Sequence, residues 1–211
     1  MEARMKAPRR TQAERRARTQ AALLDATIDC LVEFGFAGTT TGRIVERAGV
    51  SRGAQVHHYP TKAQLVAEAV RHLASRRLTE FFEDVATAVP PGRDRLGQLL
   101  DRVWAIHLSP LFAASMELIV AARTDPELRD RMVDVERDVT QSIAAALAGL
   151  FPDLAADRAF RESIETELAA ARGMAILSYV SPEAELEPRW LGVRAQLLKM
   201  LEDSAENALD T

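Results

Sequence analysis

Apolar positions along this chain recur at helical spacing, and short groups of Gly, Pro, Ser, Thr and Asp interrupt them. Phe160, Ile164, Leu168, Ala171 and Ala175 form one such stripe, and Trp190, Leu191, Leu197, Leu198 and Leu201 give another apolar face. Pro and Gly fall between periodic segments, and runs of β-branched residues are few, so the pattern predicts an all-α fold of about nine helices. Thr11-Gln12-Ala13-Glu14 is a capping box and starts a first helix predicted to reach about Glu33. Thr40 caps a second, in which Ile44, Val45 and Ala48 face inward. Ser51 caps a third that Pro60 ends, and Thr61-Lys62-Ala63-Gln64 is the capping box of a fourth, running to about Val85. Further helices are predicted over about 94–107, 110–123, 126–150, 153–179 and 188–207, with Ser109-Pro110 and Asp125-Pro126 as starts.

The segment from Gly49 to Lys62 carries the most information. Gly49 turns the chain between two short helices, and Val50 plugs the angle between them. The helix after the turn offers Arg52, Gln55, His57 and His58, a dense set of hydrogen-bonding groups on an element too short to be held by packing alone. Two helices joined by a short Gly-containing turn are the supersecondary unit that reads a DNA major groove. The same spacing also fits a plain αα-corner in a helical protein.

Charge weighs against the corner. Residues 1–78 hold 14 Lys and Arg against 7 Asp and Glu, so they sum to +7, and residues 79–211 sum to −11. The overall charge of −4 therefore hides a basic head on an acidic body, a segregation suited to a polyanion at one end.

Thr19 to Ala26, Phe34-Gly35-Phe36, Thr39-Thr40-Thr41, Gly49-Val50-Ser51 and His57-His58-Tyr59-Pro60-Thr61-Lys62 together resemble the TetR family of transcriptional regulators. The resemblance covers about 48 residues and ends near Leu65. It implies a homodimer of all-α subunits: a helix-turn-helix head over 11–61, preceded by a flexible basic arm over 1–10, and a body over 62–211 that dimerises and holds a small-molecule effector. Carried over by position, Arg52, Ala54, Val56 and His57 face bases or sugar edges, while Thr40, Thr41, His58, Tyr59 and Lys62 make or support phosphate contacts. The chain departs from the family at Gln55-Val56, where Leu-Tyr is usual; Gln55 then needs a buried partner or a wetter site. The implied activity is a repressor released from a palindromic operator by its effector. A helical protein-interaction module, or a regulator that activates, is the alternative.

In the body, Trp104, His107, Phe112, Met116, Glu117, Ile119 and Met174 are candidates for an effector pocket, since apolar walls with a few polar groups describe such sites. The same residues at helical spacing also describe ordinary core. Phe160, Ile164, Leu168, Ala171, Ala175, Trp190, Leu197 and Leu201 are candidates for a four-helix dimer interface, the competing reading being that they pack on their own subunit.

Other chemistry has little footing. His57 and His58 diverge by about 100° on one helix, so they do not share a metal. Neither a Gly-rich phosphate loop nor Gly-x-Ser-x-Gly occurs, so no enzyme, metal or cofactor is expected. The single cysteine, Cys30, lies on the apolar side of its helix and reads as core rather than as a redox sensor. No apolar run of membrane-spanning length and no signal-peptide pattern occurs, so the expectation is a cytoplasmic protein.

Overall fold

The computed structural model describes residues 11–88 and 95–209, which form nine helices and no strand. The basic arm over 1–10 and the segment 89–94, which contains Pro90-Pro91-Gly92, lie outside the described residues.

Helix α1 (Gln12–Gly38) opens on the predicted capping box, with the Thr11 hydroxyl accepting from Glu14 N–H and Thr11 N–H donating to the Glu14 carboxylate at 2.8 Å. It runs past the predicted end at Glu33, but regular helix stops at Gly35, where φ is 64° and ψ 179°. Glycine has no Cβ to clash in that conformation, so Phe34-Gly35-Phe36 is a built-in break near the end of α1. Helix α2 (Thr41–Ala48) is capped by the Thr40 hydroxyl and ends at Gly49, left-handed with φ 63°. Helix α3 (Arg52–His58) is capped by Ser51, whose hydroxyl accepts from Ala54 N–H at 3.2 Å. Each of these caps satisfies a backbone donor that the helix itself leaves orphaned, an effect of about 1 kcal/mol.

Helix α4 (Lys62–Ala88) leads to α5 (Arg95–His107), α6 (Pro110–Ala122) and α7 (Pro126–Leu150), the last two starting at the predicted Ser-Pro and Asp-Pro pairs. Two boundaries differ from expectation. Helix α8 (Arg158–Ser178) starts five residues later than position 153, because residues 152–156 turn back on Phe151 and Leu154 and Asp157 takes the cap, accepting from Phe160 N–H at 2.7 Å. Helix α9 (Glu183–Leu209) starts five residues before Pro188, which sits inside it near the N-terminal end, where a missing N–H forfeits only one bond of the ladder.

Three packed clusters decide how the parts sit together. The head closes over Leu23, Cys30, Ile44, Tyr59, Leu65 and Ala69, so the first turns of α4 belong to its core. Cys30 is fully buried there, as expected of a core thiol, and burial raises its pKa. The body packs around Leu100, Phe160, Ala171, Trp190 and Leu201. Between them Leu31 and Val66 meet Ala114, Leu118 and Val135, joining α1 and α4 to α6 and α7. Head and body thus share an apolar seam rather than a bare linker, and burying a residue the size of Leu118 in it contributes about 1.5–3 kcal/mol.

Candidate DNA-binding face and effector cavity

The recognition helix α3 sorts its residues by face. Arg52, Val56 and His57 are exposed, with Val56 at 48%, while Ala54 and His58 are half-buried. Arg52 and Val56 stand four residues apart on one side of the helix, the geometry that brings side chains to bear on one groove. Thr40 is exposed, its hydroxyl already capping α2, and Thr41 is half-buried beside it. Arg15, Arg16 and Arg18 are exposed along the start of α1. Burial, then His57 and Arg16, push the His58 pKa down, which keeps that ring neutral near pH 7.

Three residues of the predicted DNA face have their side chains engaged within the head. Gln55 is only 2% exposed, and its side-chain amide donates to the Tyr59 carbonyl at 2.5 Å while its own carbonyl accepts from Tyr59 N–H at 2.7 Å. The amide thus meets the backbone polarity that Pro60 leaves behind at the end of α3. That bond is how a polar residue replaces an apolar one inside the head. Tyr59 is also buried, its ring in the head core and its hydroxyl bonded to Gln20. Lys62 turns inward: its ammonium donates to the Phe36 carbonyl at 2.7 Å and lies 3.9 Å from the Phe36 ring centroid, and burial lowers its pKa. It therefore braces the break in α1. The capping box at Thr61 is half formed, since Gln64 N–H donates to the Thr61 hydroxyl, which itself donates to Glu127 on α7 at 2.6 Å.

In the body, helices α4 to α8 surround a cavity of about 210 Å³ with largely apolar walls. His107, Phe112, Met116 and Ile119 from the predicted set line it together. The other three candidates do not. Trp104 stacks on Trp190 of α9, ring centroids 4.3 Å apart and planes 11° from parallel. Met174 is buried in the α8–α9 core. Glu117 reaches away to the head, where its carboxylate accepts from Phe36 N–H at 2.6 Å.

Sequence reasoning missed Glu167 and Arg172, which line the cavity from α8. The signal was available: Glu167 falls at i+7 from Phe160 on the apolar stripe, so an acid sits where the helix faces inward. It is 3% exposed, and burial raises its pKa to about 7 against the lowering effect of Arg172. His107, 6% exposed, is held neutral by burial, with Nδ1 against the Val103 carbonyl at 2.8 Å.

The predicted dimer stripe is also relocated. Phe160, Ile164, Ala171, Ala175, Trp190, Leu197 and Leu201 are buried within the subunit, and half-buried Leu168 lines the cavity. Each stripe packs on its own subunit because α8, α9 and α5 already form a complete layer. The apolar side chains left in solvent near the α8–α9 turn are Ile176, Leu177, Tyr179, Val180 and Leu191, with Val180 at 82% exposure.

Residues 23–69 match the model of bacterial regulatory proteins of the tetR family. The chain is 39% identical over 142 residues to the HTH-type transcriptional regulator CymR of Pseudomonas putida, covering 66% of this chain and 70% of that one. It is 34% identical over 194 residues to an uncharacterized HTH-type transcriptional regulator of Mycobacterium bovis, spanning 90% of this chain and 97% of the relative. The chain belongs to the TetR family. Its fold superposes on that of the multidrug binding protein EbrR, solved with proflavin, at a TM-score of 0.55 and 21% identity, covering 88% of this chain and 99% of the other. A TetR-family chain is a DNA-binding transcriptional regulator, and its relatives are regulators rather than enzymes. Among the described residues there is no cluster of His, Cys, Asp or Glu suited to a metal ion, and no single helix is long and apolar enough to cross a membrane.

Proposed function

We propose that this TetR-family regulator is a cytoplasmic homodimeric repressor that sits on a palindromic operator and leaves it when a small molecule fills the cavity between α4 and α8. The observation that carries the proposal is the seam at Leu31, Val66, Ala114, Leu118 and Val135, which joins the helices bearing the cavity to those bearing the DNA face. A ligand shifts an equilibrium only through a difference in its affinity for two states, and a shared seam lets cavity filling change the head's position.

On this reading the head covers 11–61 and the body 62–211, with α4 starting at the division and packing its first turns into the head core. Arg52, Ala54, Val56 and His57 face the groove, Thr40, Thr41 and His58 flank the phosphates, and Gln55, Tyr59 and Lys62 hold the head's shape from within. Val56 offers a thymine methyl an apolar contact. Two α3 helices enter successive major grooves about 34–36 Å apart. Dimerisation uses the exposed Ile176, Leu177, Tyr179, Val180 and Leu191 instead of the buried stripes. EbrR, whose structure contains proflavin, supports a cavity that admits a flat aromatic molecule bearing polar groups.

Fluorescence anisotropy with the DNA flanking the gene, at two salt concentrations and against a scrambled competitor, tests the reading. Sequence-specific binding that weakens steeply with salt is expected, because phosphate contacts release counterions. Binding that is indifferent to both sequence and salt would sink it and favour a protein-interaction module.

A further inference from the structure

The polar groups around the cavity are nearly all spoken for. Ser109 caps α6, Ser115 donates to the Leu111 carbonyl at 3.0 Å, Arg77 pairs with Glu80 at 3.3 Å and Arg172 pairs with Glu136 at 3.3 Å. Two groups differ. Glu167 is buried, and its Oε1 has no hydrogen-bond partner. His107 spends Nδ1–H on the Val103 carbonyl, so in the neutral ring Nε2 carries a lone pair and no proton. His107 also packs against Phe112, ring centroids 4.3 Å apart, which fixes it at the cavity wall. Nε2 is an acceptor, as is Oε1 when the carboxyl is ionised, and the two residues line the same apolar space from different helices, α5 and α8.

A buried acceptor without a donor is costly, and Glu167 Oε1 is such a group, with the His107 ring beside the same space as a second acceptor for an occupant to meet. The geometry points to an effector that is a compact aromatic molecule bearing an O–H or N–H donor, a phenol or an amine, which Glu167 and His107 recognise by accepting from it. Above pH 7, where Glu167 is ionised, a carboxylate ligand is disfavoured by the same atoms, since it brings further acceptors to the site and meets an Arg172 already paired with Glu136. A plain hydrocarbon fits the walls and leaves both acceptors unmet. The assignment rests on this cavity being the effector site. It adds that the donor, and not the ring alone, selects the ligand.

Four probes of one ring system separate the possibilities: naphthalene, 2-naphthol, 2-naphthylmethylamine and 2-naphthoate, titrated calorimetrically into the full-length protein and into Glu167→Gln and Glu167→Leu. Binding of the naphthol or the amine about tenfold or more tighter than naphthalene and naphthoate is the expected result, the gain of one buried hydrogen bond to a charged or polar partner. Glu167→Leu removes that preference while naphthalene still binds, which shows that the cavity has survived the substitution. Glu167→Gln separates the two donor classes: it spares the phenol, and it weakens the amine if the partner is an ammonium held by a carboxylate. Naphthoate binding as tightly as naphthol overturns the assignment, as does an unchanged preference in Glu167→Leu. Equal binding of all four probes overturns it too, yet leaves the cavity as an effector site. Failure of every probe to bind any of the three proteins overturns the assignment together with the cavity's role as effector site, while operator binding, measured separately, stands or falls on its own.

Discussion

Glu117 on α6 and Phe36 at the broken end of α1 are joined by a hydrogen bond of 2.6 Å from the Phe36 N–H to the Glu117 carboxylate. The Phe36 carbonyl is taken at the same time by the Lys62 ammonium at 2.7 Å. One peptide segment, freed from α1 by the left-handed Gly35, is therefore held from one side by the body and from the other by the start of α4. A Cβ on Gly35 would lie 2.6 Å from Glu117 Oε2, so glycine is required twice, for its positive φ and for the close approach.

Glu117→Ala is expected to cost about 1–3 kcal/mol in urea unfolding, because it strips a charge-assisted acceptor from a backbone N–H that helix geometry leaves unpaired. The more telling readout is coupling. The variant should bind operator within a few-fold of the parent and respond less to effector, since one of the two ties between α6 and the head is gone. A full effector response would show that the apolar seam alone carries the signal.

Gln55→Ala is expected to destabilise the head by about 1–3 kcal/mol, leaving the Tyr59 carbonyl without its donor and opening space in the core. Its operator affinity at saturating folded protein should keep the parent's salt slope, since a buried amide makes no phosphate contact. A shallower salt slope would return Gln55 to the DNA face.

Arg52→Ala is expected to lose about 1–3 kcal/mol of discrimination at one base position, as removal of a bidentate guanine contact does. Binding to a panel of single-base operator variants reads this directly. Uniform weakening across the panel would make Arg52 a phosphate anchor instead.

The helices and their caps were legible in the sequence because caps and periodicity are local. Thr11, Thr40, Gly49, Ser51, Ser109 and Asp125 all act where the spacing placed them. What the sequence hid is which neighbour a side chain chooses. Glu117 and Lys62 look like a ligand group and a phosphate anchor until the break at Gly35 exposes a peptide N–H and C=O for them to bind. Trp104 looks like a pocket wall until Trp190, 86 positions on, stacks against it. The apolar stripes of α8 and α9 are buried within the subunit, where the sequence offered a partner subunit as their cover, because periodicity reports that a face is covered and not by what.

Glu167 makes stability depend on pH in a direction opposite to that of an ion-paired carboxylate. Its folded pKa is raised from 4.5 to about 7, so between those values the native state holds a proton that the unfolded chain has released. Stability therefore falls as pH rises from about 4.5 to 7 and this contribution levels off above that, a loss of about 3 kcal/mol over the window. Glu167→Gln cannot titrate, and the difference in unfolding free energy between parent and variant should shift toward the variant across that range. A pH-independent difference would place the Glu167 carboxyl in a wetter setting than its 3% exposure implies.

Val180 and Leu191 are 82% and 57% exposed near the α8–α9 turn, alongside Ile176, Leu177 and Tyr179. Large apolar side chains exposed in one region of a surface mark a place that another molecule can cover. In a two-fold dimer the same patch meets its own copy, so one substitution acts twice. If the proposed dimer uses this surface, Val180→Asp or Leu191→Asp converts it to monomer in sedimentation and leaves the head core intact, because neither residue packs against that core. On the proposed palindromic operator, affinity should then drop by orders of magnitude, since a monomer offers one recognition helix in place of two. An Asp variant that still sediments as a dimer would move the interface to another face, and the buried positions Phe160, Trp190 and Leu201 could not supply it without unpacking the body.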